Sequence, residues 1–153
     1  MKIYAHRGFS GKFPEGSRTA YEEAVKIGAD GIECDVRFTR DGTLVCFHDA
    51  TTERITGKSG RVSRLSLAEM RNRYDLITLE ELISFAISNK VNLLIETKHP
   101  VPQGRKVERE VLRLLDQKNN EIQASGIRII VFTFSYWGAR YLSHRYTDAG
   151  YVV

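Results

Sequence analysis

The 153-residue chain is 42% apolar and 27% charged, an ordinary balance for one globular domain with its own core, which excludes a fibrous or disordered chain. No apolar run approaches the roughly 18 residues of a membrane span, and the N-terminus enters strand-like sequence with no signal-peptide core, so the expected location is the cytoplasm. Net charge of +4 and a pI near 9.1 favour an anionic partner such as a phosphate ester; the basic residues are scattered, with Lys58–Arg64 and Arg71–Arg73 reading as solvated surface, and a nucleic-acid role is not expected.

In chain order, Lys2–His6 reads as a short strand, followed by the Gly-rich Arg7-Gly8-Phe9-Ser10-Gly11. Ser17 caps a predicted helix reaching about Ile27, with Ala20, Tyr21, Ala24 and Val25 on one face and Gly28 just past its end. Gly31–Thr39 is a second strand, Asp41-Gly42 a turn, and Thr43–Phe47 a third strand ending at His48-Asp49. Residues 51–64 read as a polar loop, with a short helix near Ser66–Arg71.

Thr78-Leu79-Glu80-Glu81 is a capping box opening a helix whose apolar stripe is Leu79, Leu82, Ile83, Ala86 and Ile87. Val91–Thr97 is a strand, Val107 to Leu115 marks a helix, and Ile127–Phe134 is a strongly apolar strand. A helix over Trp137–Leu142 follows, and Tyr151-Val152-Val153 begins a last strand. Alternating strands and helices predict one α/β domain over residues 1–153 with a parallel sheet. Cys34 and Cys46 lack metal-finger spacing and lie in apolar runs, so two buried free thiols are expected.

Glu33 and Asp35 are two apart on a strand and therefore share a face, roughly 6.6 Å apart at Cα. Two convergent carboxylates suit a hard divalent cation, although a polar strand face is the plainer account of that pair alone. Glu96 and Lys98 repeat the pattern on another strand; the carboxylate could join a metal shell and the lysine meet a phosphate. His6 and His48 each end a strand and can serve as an acid/base pair, whereas His99 and His144 have no such setting. His6, Arg7, Glu33, Asp35, His48, Glu96 and Lys98 all fall near predicted strand ends, the face on which parallel barrels keep their active sites. A two-residue turn at Asp41-Gly42 would set Asp35 opposite His48, on a strand antiparallel to its neighbour.

These residues resemble the glycerophosphodiester phosphodiesterase family. His6-Arg7-Gly8 is similar to its opening His-Arg-Gly, Glu33-Cys34-Asp35-Val36 to its Glu-x-Asp-Val, and Asp41-Gly42 through His48-Asp49 to its Asp-Gly turn, apolar strand and His-Asp. Thr78-Leu79-Glu80-Glu81 resembles its Thr-Leu-Glu-Glu helix start and Glu96-Thr97-Lys98 its Glu-x-Lys. Where the family reads Pro-Glu-Asn-Thr, this chain has Pro14-Glu15-Gly16-Ser17, which predicts a looser loop around Glu15.

The resemblance implies a TIM (β/α)8-barrel type of fold in which Glu33, Asp35 and Glu96 bind Mg²⁺ or Ca²⁺, His6 and His48 are general acid and base, and Arg7 and Lys98 contact the phosphate. The implied reaction is metal-dependent hydrolysis of small glycerophosphodiesters to glycerol 3-phosphate and an alcohol. Such a barrel takes about 250 residues, so about five or six of its eight strands are expected here, with a homo-oligomer completing the barrel as one arrangement. The competing expectations are a truncated non-catalytic relative that at most binds metal or phosphate and, ranked last, a glycosidase on paired carboxylates, which leaves the two histidines and Lys98 unexplained.

Overall fold

The computed structural model describes residues 1–101, 103–146 and 148–151. Strands β1 (Tyr4–His6), β2 (Gly31–Phe38), β4 (Asn92–Thr97), β5 (Ile129–Thr133) and β6 (Ala149–Tyr151) form a parallel sheet in the order β1-β2-β4-β5-β6. β3 (Leu44–Cys46) pairs antiparallel with β2. The helices are α1 (Arg18–Lys26), the short α2 (Glu53–Thr56) and α3 (Leu67–Arg71), α4 (Leu79–Asn89), α5 (Lys106–Gln117), α6 (Asn119–Ser125) and α7 (Tyr136–Ser143). The five parallel strands form the wall of a partial barrel, as expected; of the anticipated last strand, Val152 and Val153 lie outside the described residues. Among those residues no helix is long and apolar enough to cross a membrane.

Strand parity decides what each side of the sheet does. On β2, Ile32, Cys34 and Val36 are fully buried against the helix layer with Leu93 and Ile95 of β4 and Val131 of β5. Leu79, Leu82, Ile83 and Ala86 of α4 and Val107 and Val111 of α5 complete this core, and truncating one such leucine to alanine costs about 2–5 kcal/mol. The alternate residues of β2, Glu33 and Asp35, face away from that layer. The helices start where their caps direct: the side chains of Ser17, Ser66 and Thr78 each accept a backbone N–H, and Ser66 and Thr78 complete capping boxes with Glu69 and Glu81. Cys34 and Cys46 are both buried and free.

The hairpin corrects one expectation. Val36 pairs with Cys46 and Phe38 with Leu44, so Asp35 lies opposite Phe47, whose N–H donates to Asp35 O at 2.9 Å, and not opposite His48. The turn is one residue longer than two: Thr39 N–H bonds Thr43 O at 2.9 Å, and Asp41 accepts from Thr39 Oγ1 and from the Leu67 amide. A one-residue slip of this kind reverses the face of every partner. The polar loop also carries more structure than predicted, including α2 and a 3₁₀ turn at Val62–Arg64, and α6 was not anticipated.

Candidate active site

β2 and β4 run in register, so Asp35 and Glu96 are direct partners across the ladder although 61 positions separate them. Glu33, Asp35 and Glu96 are all buried, and each offers a carboxylate oxygen within 4.8 Å of the others. The sequence-predicted metal ligands are therefore brought together. Lys98, just beyond β4, donates its ammonium to Glu96 Oε1 and stands 2.9 Å from Asp35 Oδ1.

Arg7 enters from the end of β1. Its backbone is left-handed at φ 57°, a region that costs a side-chain-bearing residue about 1 kcal/mol or more. That conformation aims the Arg7 amide at Glu33 Oε2, 3.1 Å away, while its Nε stands 2.9 Å from Asp35 Oδ2. His6 Nε2 lies 3.8 Å from Glu33 Oε2, with its side chain 67% exposed.

Three carboxylates here face two cationic heads. Burial, and after it the Asp35 carboxylate, pushes the Glu33 pKa up to about 7 against the opposing Arg7 amide. Glu33 Oε1 and both oxygens of Asp35 accept no hydrogen bond; Arg7 and Lys98 reach Asp35 at ion-pair distance but at poor angles. Buried carboxylate oxygens left in this state are costly. A hard divalent cation takes oxygen ligands at about 2.0–2.6 Å and would meet those lone pairs, so the donor set fits a cation of that class.

His48 is held outside the cluster by a chain of ion pairs. Its Nδ1 lies 2.7 Å from Asp49 Oδ1, and Arg54 grips Asp49 through Nε at 2.7 Å. The Arg54 hydrogen bonds, and secondarily His48, hold the Asp49 pKa down at about 2 despite partial burial. An ionised carboxylate only accepts, so His48 Nδ1 carries the proton and Nε2 is left to exchange one. Arg37 Nε fixes the His48 carbonyl at 2.7 Å. Arg54 continues to Glu15, bonding Oε1 at 2.7 Å, and Glu15 accepts from Arg7 Nη1 at 3.0 Å. One chain of charge thus joins His48 to Arg7 and so to the carboxylate cluster.

The loop that carries Glu15 is pinned and not loose. Gly16 is left-handed at φ 73°, a conformation that the family's asparagine also tolerates. Its N–H bonds Arg7 O at 2.8 Å, and Tyr74 Oη bonds Glu15 O at 2.6 Å.

Sequence reading missed Arg54 and Arg37 and gave Asp49 no role. Arg54 lies in a stretch without periodicity, and nothing local marked it. His99, assigned no role from sequence, does have a setting: its Nε2 lies 2.6 Å from Oε1 of the fully buried Glu108, which also accepts from Thr97 Oγ1 at 2.9 Å. Burial pushes the Glu108 pKa up, but these hydrogen bonds outweigh it and hold the group below its usual value. The pair braces the segment carrying Lys98.

Residues 6–152 match the glycerophosphoryl diester phosphodiesterase family. The Mycobacterium tuberculosis protein named "Probable glycerophosphodiester phosphodiesterase 1" is 40% identical over 154 residues, spanning 87% of this chain and 56% of that protein. The glycerophosphodiester phosphodiesterase of Caldanaerobacter subterraneus is 30% identical across 90% of this chain and 60% of its own length. The chain thus spans a little over half the length of these curated relatives. Among solved structures, the Thermotoga maritima glycerophosphodiester phosphodiesterase superposes with a TM-score of 0.82 at 26% identity, covering 100% of this chain and 62% of that one. An Oleispira antarctica phosphodiesterase in complex with the product sn-glycerol-3-phosphate gives a TM-score of 0.83 at 22% identity, over 99% of this chain and 64% of that one, a likeness of fold alone.

Proposed function

The chain belongs to the glycerophosphoryl diester phosphodiesterase family, and from that premise we propose that it carries the site for hydrolysing glycerophosphodiesters to glycerol 3-phosphate and an alcohol. The observation that carries this reading is the buried Glu33–Asp35–Glu96 cluster, with carboxylate oxygens that accept no hydrogen bond, flanked by His6 and by the cationic Arg7 and Lys98. Glu33, Asp35 and Glu96 would hold a divalent cation, Mg²⁺ or Ca²⁺. Bound there, the cation would supply Lewis-acid polarisation of the phosphoryl group.

The remaining work falls to the chain's own groups. Arg7 and Lys98 orient the phosphate through charge-assisted hydrogen bonds and offset the charge that develops on its oxygens. One histidine takes the proton of the attacking hydroxyl or water and the other returns one to the leaving alcohol. His48 suits proton exchange at Nε2, because Asp49 and Arg54 fix its tautomer and ring orientation. His6, exposed beside Glu33, is the second acid/base group of the proposal.

The test is product identity. Glycerophosphocholine incubated with the protein and Mg²⁺ or Ca²⁺ should yield glycerol 3-phosphate and choline in equal amounts. Phosphocholine and glycerol as products would mean that the wrong phosphoester bond is cut, and the proposed orientation would fall.

A further inference from the structure

Where β5 ends, the chain exposes three aromatic rings almost in succession: Phe134, Tyr136 and Trp137 are 57%, 58% and 66% exposed. They are among the few large apolar side chains so exposed in the described residues, and the other three lie near the chain start or at the end of α1. β4 and β5 pair Thr97 with Thr133, so Phe134 lies level with Lys98 on the rim of the carboxylate site.

Helix α7 extends this patch. Gly138 and Leu142 are buried, while Tyr136, Trp137, Arg140 and His144 form an exposed stripe at helical spacing. A cleft of about 260 Å³ runs from Trp137 past Arg140 to Arg105 at the start of α5. Among the described residues, Arg105, Arg109, Arg140 and Arg145 form no ion pair, although the neighbouring Arg113 and Arg128 pair with Glu110 and Asp148. The nearby Glu108 is buried on His99. The patch is thus aromatic and cationic at once.

We propose that this aromatic and arginine-rich rim docks the protein on an anionic lipid surface, placing the carboxylate site at the membrane–water interface. Trp and Tyr favour that interface because each joins an apolar ring to a polar tip. Unpaired arginines beside them add attraction to anionic headgroups. A protein partner would demand a shape-matched surface, and a nucleic acid would track a longer basic groove than this cleft provides. Docking does not depend on turnover, so it stands or falls apart from the proposed hydrolysis.

Trp137 is the only tryptophan, so its fluorescence reports this patch alone. The protein is titrated with phosphatidylcholine vesicles with and without phosphatidylglycerol, and binding is read by Trp137 emission and by co-sedimentation. The expected result is a blue shift and retention with anionic vesicles only, reversed between about 0.1 and about 1 M salt as screening shortens. Arg105→Gln with Arg140→Gln should weaken partition about 25-fold, about fivefold for each arginine. Trp137→Ala should reduce co-sedimentation, with far-UV circular dichroism confirming that each variant is folded. Unchanged emission with anionic vesicles overturns the proposal. So does an equal response to neutral vesicles, a response to single-stranded oligonucleotide in place of vesicles, or a lipid-free blue shift that grows with protein concentration, which would assign the patch to self-association.

Discussion

Glu33→Gln isolates the cost of gathering three carboxylates without a cation. In the metal-free fold the Glu33 pKa is raised from 4.5 to about 7, chiefly by burial and then by the Asp35 charge. An acid raised in the folded state binds its proton more tightly there than in the unfolded chain. Stability is therefore highest where Glu33 is protonated and falls as pH rises from about 4.5 to about 7. At 1.36 kcal/mol per unit, the full loss is about 3 kcal/mol, and between about pH 5 and about pH 8 it is about 2.5 kcal/mol. Glutamine keeps the shape and an acceptor for the Arg7 amide but has no charge to desolvate. In EDTA the variant should match wild type near pH 5 and exceed its melting temperature by about 5–10 °C near pH 8, at about 2–4 °C per kcal/mol for a chain of this size. Adding Mg²⁺ or Ca²⁺ at pH 8 should reverse the order, because wild type gains a ligand-bound state and the variant loses one of its oxygen donors. Parallel melting-temperature curves for the two proteins across this pH range in EDTA would refute the reasoning.

His48→Ala should abolish turnover while calorimetric cation affinity stays within twofold of wild type, since His48 belongs to the Asp49–Arg54 chain and not to the carboxylate cluster; a loss of both would move His48 into the cation site. Arg54→Met removes the group that holds Asp49 low. Asp49 is an acid lowered in the folded state, so its contribution is present above pH 3.8 and disappears as pH falls through about 2; partial exposure limits the expected loss in urea unfolding at neutral pH to about 1 kcal/mol, and kcat should fall further as His48 loses its fixed orientation. Gly8→Ala places a Cβ 2.6 Å from the Ala20 carbonyl carbon at a φ of +77°, and should cost about 2 kcal/mol or more by urea midpoint; an unchanged midpoint would show that the turn after β1 relaxes freely.

The carboxylate cluster was legible because strand parity is a local property. Glu33 and Asp35 share a face by their spacing alone, and Glu96 joins them once the parallel sheet sets β4 beside β2. The Thr78 capping box and the Ser17 cap were equally plain, since each is written within four residues. The hairpin register was not legible: it turns on whether the Asp41 carboxylate closes on Thr39 and Leu67, and Leu67 lies 26 positions away. Arg54 escaped notice for the same reason, because its partners Asp49 and Glu15 meet it only in the folded loops. His99 was dismissed because Glu108, the group that gives it a setting, comes from a helix formed later in the chain.

The most direct test of the account is choline release from glycerophosphocholine by the EDTA-treated protein during back-titration with Mg²⁺ or Ca²⁺, run beside Glu96→Gln. The account predicts no release in EDTA, saturable recovery with cation in wild type, and recovery in Glu96→Gln only at much higher cation concentration or not at all. Release that persists in EDTA, or identical cation titrations for the two proteins, would contradict a cation site on Glu33, Asp35 and Glu96; no release under any condition from protein shown to be folded would favour the non-catalytic reading.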